Sequence, residues 1–205
     1  MDAEPIVYVV DDDSSVRLAL EDLFASVSLR VRSFASVQDF VARPADSGPA
    51  CLVLDVRMPG QSGMDFHQQM GELGQHLPTV FITGHGDVAM GVQAMKNGAI
   101  DFLTKPFRDQ DLLDAVQRGI ELDRDQQKSR ATEIAMQARW QQLTPGEREV
   151  AVLVVQGLLN KQIAAALSVS EITVKVRRRS LMDKLGIKAL ADLVRLHDRM
   201  HPPSA

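Results

Sequence analysis

Asp11, Asp12, Asp55, Thr83 and Lys105 are the residues of the first half whose types could act together on phosphorus. A carboxylate can attack phosphorus as a covalent nucleophile. The incoming group carries anionic oxygens, so a hard cation must offset the charge, and Mg²⁺ (or Mn²⁺) takes oxygen ligands. Asp12 and Asp55 are candidates to ligate it directly, Asp11 directly or through water, and the backbone carbonyl of Arg57, just after Asp55, would complete the protein share. Lys105 offers a point charge to one phosphoryl oxygen, and the Thr83 hydroxyl a donor to another. Gly84-His85-Gly86 is too short to be a phosphate-cradling loop, and His85 reads as a loop residue beside the pocket.

A different chemistry sits in the second half, in the stretch Glu171 to Leu185. Val174, Leu181 and Leu185 recur at helical spacing and should face a core. Lys175, Val176 and Arg179 fall on another face. Lysine or arginine there can reach guanine O6 and N7 in a major groove, and Val176 a thymine methyl. Lys161, Arg177, Arg178 and Lys188 are candidate phosphate contacts, which add affinity without reading bases. The bland alternative, a solvated basic face, is weakened by the motif around the run. Thr144-Pro145-Gly146-Glu147 is a capping box with proline at the first helical position. Helices are expected to about Gln156, over Asn160–Leu167, from a Ser170 cap to Gly186, and over Leu190–Met200. A three-residue turn between the second and third of these is a helix-turn-helix signature.

The elements that must position the first set alternate strand and helix. Apolar runs at Ile6–Val10, Leu29–Ser33, Cys51–Leu54, Thr79–Ile82 and Phe102–Thr104 read as strands. Helix-like stretches lie between them: Ser14 to about Ser28, Ser36–Arg43, from Gly63 to about Leu73, one capped by Asp87 and stopping near Gly98, and one opening near Asp109. This predicts an α/β fold, a doubly wound five-stranded parallel sheet of flavodoxin type, followed by an all-α helix-turn-helix domain. In such a sheet the carboxyl ends of the strands share one edge, and the five reactive residues all stand at those ends. Asp13 or Ser14 can cap the first helix, which leaves Asp11 and Asp12 free for chemistry. Structural ion pairs would account for any one of these residues, but not readily for all five at successive strand ends.

Charge divides along the same line. Residues 1–121 carry 9 Lys and Arg against 18 Asp and Glu, and residues 143–205 carry 10 against 6. Two domains with different partners are expected: 1–121, then a linker over 122–141, then 142–205. Asp123–Arg130 loses its apolar face but lacks Pro and Gly, so the linker should stay helical while solvated. The single Cys51 rules out an intramolecular disulfide, and its place in an apolar run points to a packed thiol. No apolar run approaches the ~20 residues of a membrane helix, so a soluble, cytoplasmic chain without a membrane partner is expected. Trp140, just before the capping box, reads as a hydrophobic plug.

These residues carry a resemblance. Asp11-Asp12, Asp55 with Met58-Pro59-Gly60 and Gly63, Thr83-Gly84-His85-Gly86-Asp87 and Asp101 to Phe107 resemble the signatures of a bacterial receiver domain. Asn160 to Ala164 and Thr173-Val174-Lys175 resemble the LuxR/NarL DNA-binding domain, with Arg177 where many members carry histidine. The whole chain is similar to two-domain response regulators of the FixJ type, and among them to regulators of aromatic-hydrocarbon degradation. The resemblance implies phosphorylation of Asp55 by a sensor histidine kinase and a switch through Thr83 and Phe102. It further implies a cis Lys105–Pro106 bond, a homodimer formed on phosphorylation, binding to double-stranded promoter DNA, and RNA polymerase as a partner. The competing reading is an aspartyl-phosphate-forming phosphatase. Asp11-Asp12-Asp13 contains the Asp-x-Asp spacing of such enzymes, but the cap insertion they need for a small substrate is missing.

Overall fold

The computed structural model describes residues 3–44, 46–73, 76–84 and 88–200. The chain divides into two compact units, Met1–Lys128 and Ser129–Ala205.

The first unit is built on β1 (Ile6–Val10), β2 (Arg30–Phe34), β3 (Ala50–Asp55), β4 (Thr79–Thr83) and β5 (Asp101–Thr104). All four pairings are parallel and the order is β2-β1-β3-β4-β5. β1, β3 and β4 are buried on both faces, which is why they read as unbroken apolar runs rather than as alternation. α1 (Ser14–Ser26), α2 (Val37–Val41), α3 (Gly63–Glu72) and α4 (Val88–Lys96) make the four crossovers, and α5 (Asp109–Gln141) follows the last strand. One core layer gathers Tyr8, Phe40, Leu54, Phe66 and Phe81, and the other Val9, Phe24, Val53, Ile82 and Val116. The strand order reverses between β1 and β3, where a doubly wound sheet opens its ligand crevice.

Local signals set the boundaries. The Asp13 side chain accepts from the Ser15 amide and caps α1. Ser28 takes φ 58°, and the Leu29 amide donates back to the Phe24 carbonyl at 2.9 Å. That closing turn consumes Leu29, so β2 starts one residue later than the apolar run suggested. α2 is shorter than its expected span at both ends, with Ser36 as its N-terminal cap and Ala42 as its C-terminal one. The expected Asp87 cap and His85 lie outside the described residues.

One expectation fails in the linker. Asp123 is not solvated: it is 4% exposed, and its Oδ2 accepts from the Ala50 amide at 2.7 Å. Gln127 Nε2 donates to the same oxygen and to the Gly48 carbonyl. Asp123 and Gln127 therefore tie this part of α5 to the start of β3, where the carboxylate satisfies a buried N–H. α5 is a single helix of 33 residues, so the linker is helical as its lack of Pro and Gly implied.

The second unit holds α6 (Pro145–Val155), α7 (Asn160–Ala166), α8 (Glu171–Leu185) and α9 (Leu190–Met200). Thr144 and Glu147 form the capping box. Ser170 caps α8, and Gly186 ends it in the left-handed conformation at φ 68°, a position that favours glycine. Leu143, Val150, Ile163, Val174, Leu181, Leu185 and Leu193 make the core, and Trp140 packs against it.

Candidate functional site

The carboxyl edge of the sheet brings three of the expected residues into direct contact. Lys105 Nζ donates to Asp11 Oδ2 at 2.7 Å and to Asp55 Oδ1 at 2.9 Å. Asp11 is 1% exposed and Asp55 5%. Each carboxylate is also held by a nearby amide: Asp13 N donates to Asp11 Oδ1, and Arg57 N to Asp55 Oδ2, at 2.9 and 2.7 Å. Arg17 ties the loop down by donating to the carbonyls of Asp11 and Asp12. The Lys105–Pro106 bond is cis, and the Lys105 amide donates to the Thr83 carbonyl at 2.7 Å. Thr83 is buried at the end of β4.

The electrostatics follow from one cation between two buried anions. Burial pushes Asp55 above the ordinary carboxylate range, and Asp11 adds to the rise; the Lys105 ammonium pulls it down without cancelling the effect. Burial alone would lower Lys105, but its two carboxylate partners hold it above its usual value. The two directions agree once the ammonium is seen as shared. It serves Asp11 and Asp55 together, so neither carboxylate has a cation of its own.

Not every predicted ligand joins this cluster. Asp12 is exposed, and among the described residues no three His, Cys, Asp or Glu side chains already lie together as a metal-ligand set. Lys105 rather than a third carboxylate joins Asp11 to Asp55. Gly63 N donates to the Val56 carbonyl at 3.0 Å. A Cβ on Gly63 would stand 2.1 Å from the Asp55 carbonyl oxygen, so only glycine permits this close return of the chain. Phe102 is half-buried, with its ring against Gly91 of α4 and 6.4 Å from the Phe81 centroid. Burial pushes the Cys51 thiol up, with the Asp123 carboxylate adding to the effect, so it is a packed thiol rather than a nucleophile.

The basic surface of the second unit is organised by α8. Val174, Leu181 and Leu185 are fully buried, as the spacing predicted. Lys175, Val176 and Arg179 are exposed on the opposite side, and Lys161 and Lys188 are exposed on α7 and just after α8. Arg177 and Arg178 are half-buried and touch their own domain. Arg177 packs its guanidinium against Gly146, and Arg178 donates to Asn160 Oδ1 at 3.2 Å.

The buried charge under this surface was not legible in the sequence. Glu147, 5% exposed, accepts from Lys184 Nζ at 2.7 and 2.9 Å and from Ser180 Oγ at 2.6 Å, and also from the Thr144 amide. Burial would raise its pKa, but Lys184, Ser180 and Thr144 together hold it down at about 2. The capping box announced Glu147. The only trace of its other partners is that Ser180 and Lys184 stand four apart on one helix.

Comparison with known proteins meets this geometry at both ends of the chain. Residues 7–117 match the response regulator receiver domain, and residues 141–197 match the bacterial regulatory proteins of the luxR family. Nodulation protein W of Bradyrhizobium diazoefficiens is 47% identical, over 95% of this chain and 86% of its own length. Response regulator protein TmoT of Ectopseudomonas mendocina is 45% identical, over 97% and 90%. The solved structure of response regulator StyR shares 44% identity and superposes with a TM-score of 0.85, covering 96% of this chain and all of that one. No described helix is long and apolar enough to cross a membrane. The chain therefore belongs to the response-regulator family, with a receiver domain followed by a LuxR-type DNA-binding domain.

Proposed function

We propose that Asp55 is the phosphoacceptor through which a sensor histidine kinase controls DNA binding by the second domain. The observation that carries this reading is the Lys105 ammonium shared between Asp11 and Asp55 at the carboxyl edge of the sheet. An Asp55 oxygen attacks the phosphorus of a phosphohistidine, the P–N bond breaks, and its electron pair stays on the departing imidazole nitrogen, which takes a proton from solvent. Lys105 then has a phosphoryl oxygen to neutralise, and the Thr83 hydroxyl donates to another. Asp11, Asp12, Asp55 and the Arg57 carbonyl would hold Mg²⁺ or Mn²⁺. The donor set fits: all are hard oxygens, and two buried carboxylates with one ammonium leave a net negative charge. The metal, when bound, supplies charge compensation for the phosphoryl oxygens.

Movement of Thr83 toward the phosphoryl group frees space that Phe102 can fill, remodelling the face of α4 and β5, where Val92 and Met95 are exposed. That face forms the homodimer. Paired DNA-binding domains then engage promoter DNA, with Lys175, Val176 and Arg179 at base edges. Lys161, Arg177, Arg178 and Lys188 lie toward phosphates, and RNA polymerase is recruited from the bound site. The resemblance to regulators of aromatic-hydrocarbon degradation makes a catabolic operon of that kind the target. A phosphatase is not favoured, since regulators match along almost the whole chain. The test is labelling with acetyl phosphate in Mg²⁺ followed by mass spectrometry. A single phosphate on Asp55, lost in excess chelator, is expected; phosphate on Asp11 or Asp12 in the wild type overturns the assignment.

A further inference from the structure

We propose that Ile172, together with Val176, reads thymine methyl groups and so fixes part of the operator sequence; this rests on the DNA-binding role of α8 argued above. Ile172 is the second residue of α8 and is 73% exposed, and Val176, four residues on, is 63% exposed. At 3.6 residues per turn, Ile172, Lys175, Val176 and Arg179 fall within a stripe about 100° wide. The buried Val174, Leu181 and Leu185 lie on the opposite side of the helix. The outward stripe thus carries two branched aliphatic side chains alternating along the helix with two cations, with the Arg179 side chain 88% exposed.

Among the described residues, burial does not account for the aliphatic pair. β-Branched residues are weaker helix formers than the lysine or glutamine that would otherwise suit a solvated face. Neither residue gains burial. In the major groove the same pair has a partner, because thymine alone of the four bases offers an apolar group there, its C5 methyl. Recognition helices present their N-terminal residues to base edges, which is where Ile172 stands. One helical turn separates the two side chains by about 6 Å, close to two base-pair steps of about 3.4 Å each. The operator half-site should therefore hold two thymines about two steps apart, with guanines within reach of Lys175 and Arg179. The lysine and arginine bring the helix to any duplex, and the aliphatic pair supplies discrimination that a purely basic face lacks.

The experiment uses the full chain, phosphorylated with acetyl phosphate, and a site selected from random duplexes. Each thymine of that site is then replaced in turn by deoxyuridine, which removes only the methyl group. Wild-type binding should weaken about three- to ten-fold at one thymine for each side chain, the range set by burying a single methyl. Ile172→Ala should weaken binding to the thymine site by a similar factor and bind thymine and uracil equally at its own position. Its sensitivity at the Val176 position and its salt dependence should stay unchanged. Alanine is the better helix former, so loss of folding is not expected from this change. A selected site bound equally with thymine and uracil at every position overturns methyl reading while leaving DNA binding intact. Selection that yields no common sequence overturns the DNA reading itself.

Discussion

Glu147→Gln tests whether the buried carboxylate beneath α8 holds the recognition helix in place. The carboxylate accepts four hydrogen bonds, two from Lys184 and one each from Ser180 and the Thr144 amide. Glutamine keeps the shape but brings an NH₂ where an acceptor is required, so at least one of these donors faces another donor. An unmet buried donor costs about 1–3 kcal/mol. Breaking a fully buried ion pair costs about 3–5 kcal/mol, but the Lys184 side chain is 36% exposed and can turn into water, which reduces that contribution to about 1 kcal/mol. The variant should lose about 2–4 kcal/mol, a large part of a small domain's stability. Trp140 is the only tryptophan and packs on the core of this unit, so its fluorescence in a urea titration reports the right transition. The pH dependence is a second constraint. Glu147 is pulled down to about 2 in the folded protein, so its contribution is complete above its ordinary value of 4.5 and fades as pH falls toward about 2. The gap between wild type and variant should shrink across that window. A loss under about 0.5 kcal/mol at pH 7, or a gap that does not change with acid, would refute the argument.

Other consequences are local to the sheet. Gly63→Ala places a Cβ 2.1 Å from the Asp55 carbonyl oxygen and should destabilise the receiver by about 3 kcal/mol in chemical denaturation followed by circular dichroism; a change within 0.5 kcal/mol would mean the close approach is soft. Asp123→Ala leaves the Ala50 amide without its acceptor and should cost about 1–3 kcal/mol, seen as faster hydrogen exchange at Ala50 than at Val53; unchanged Ala50 protection counts against the contact. Asp55→Asn removes a carboxylate whose pKa is raised by burial. The ionised form is the one the fold disfavours, so the variant should gain about 0.5–1 kcal/mol at pH 7. The gain should shrink as pH falls through the folded-state pKa, and a destabilised Asn variant at pH 7 would contradict the direction of that shift.

What the sequence made legible has a simple geometry. Parallel strands share an edge, so Asp11, Asp55, Thr83 and Lys105 could be gathered from their places at strand ends without knowing any contact. Caps at Asp13, Thr144 and Ser170 were equally readable, because each donor lies two or three residues from its acceptor. The pairings that escaped join groups far apart in the chain. Asp123 meets Ala50 from 73 residues away, and Glu147 meets Lys184 from 37. Neither leaves a periodic trace, since a single buried polar contact does not repeat along a helix. The loss of the apolar face after Asp123 therefore looked like solvation when it marked a polar bond to the sheet.

The Lys105 contact supports the proposal that the pocket serves chemistry rather than stability. A fold chosen for stability alone would give two carboxylates that are 1% and 5% exposed a cation each, or replace them with apolar groups. Here one ammonium is divided between Asp11 and Asp55, and Asp55 stays raised by burial despite it. The shared ammonium stands at the strand ends where the sheet order reverses. Around it the backbone is held closely: Asp13 and Arg57 amides fix the two carboxylates, Arg17 fixes the β1 loop, and Gly63 returns against the Asp55 carbonyl. A closely hydrogen-bonded frame around an under-compensated anion suits the proposed phosphoryl-accepting role, since the nucleophile must be placed before the charge that neutralises the product arrives.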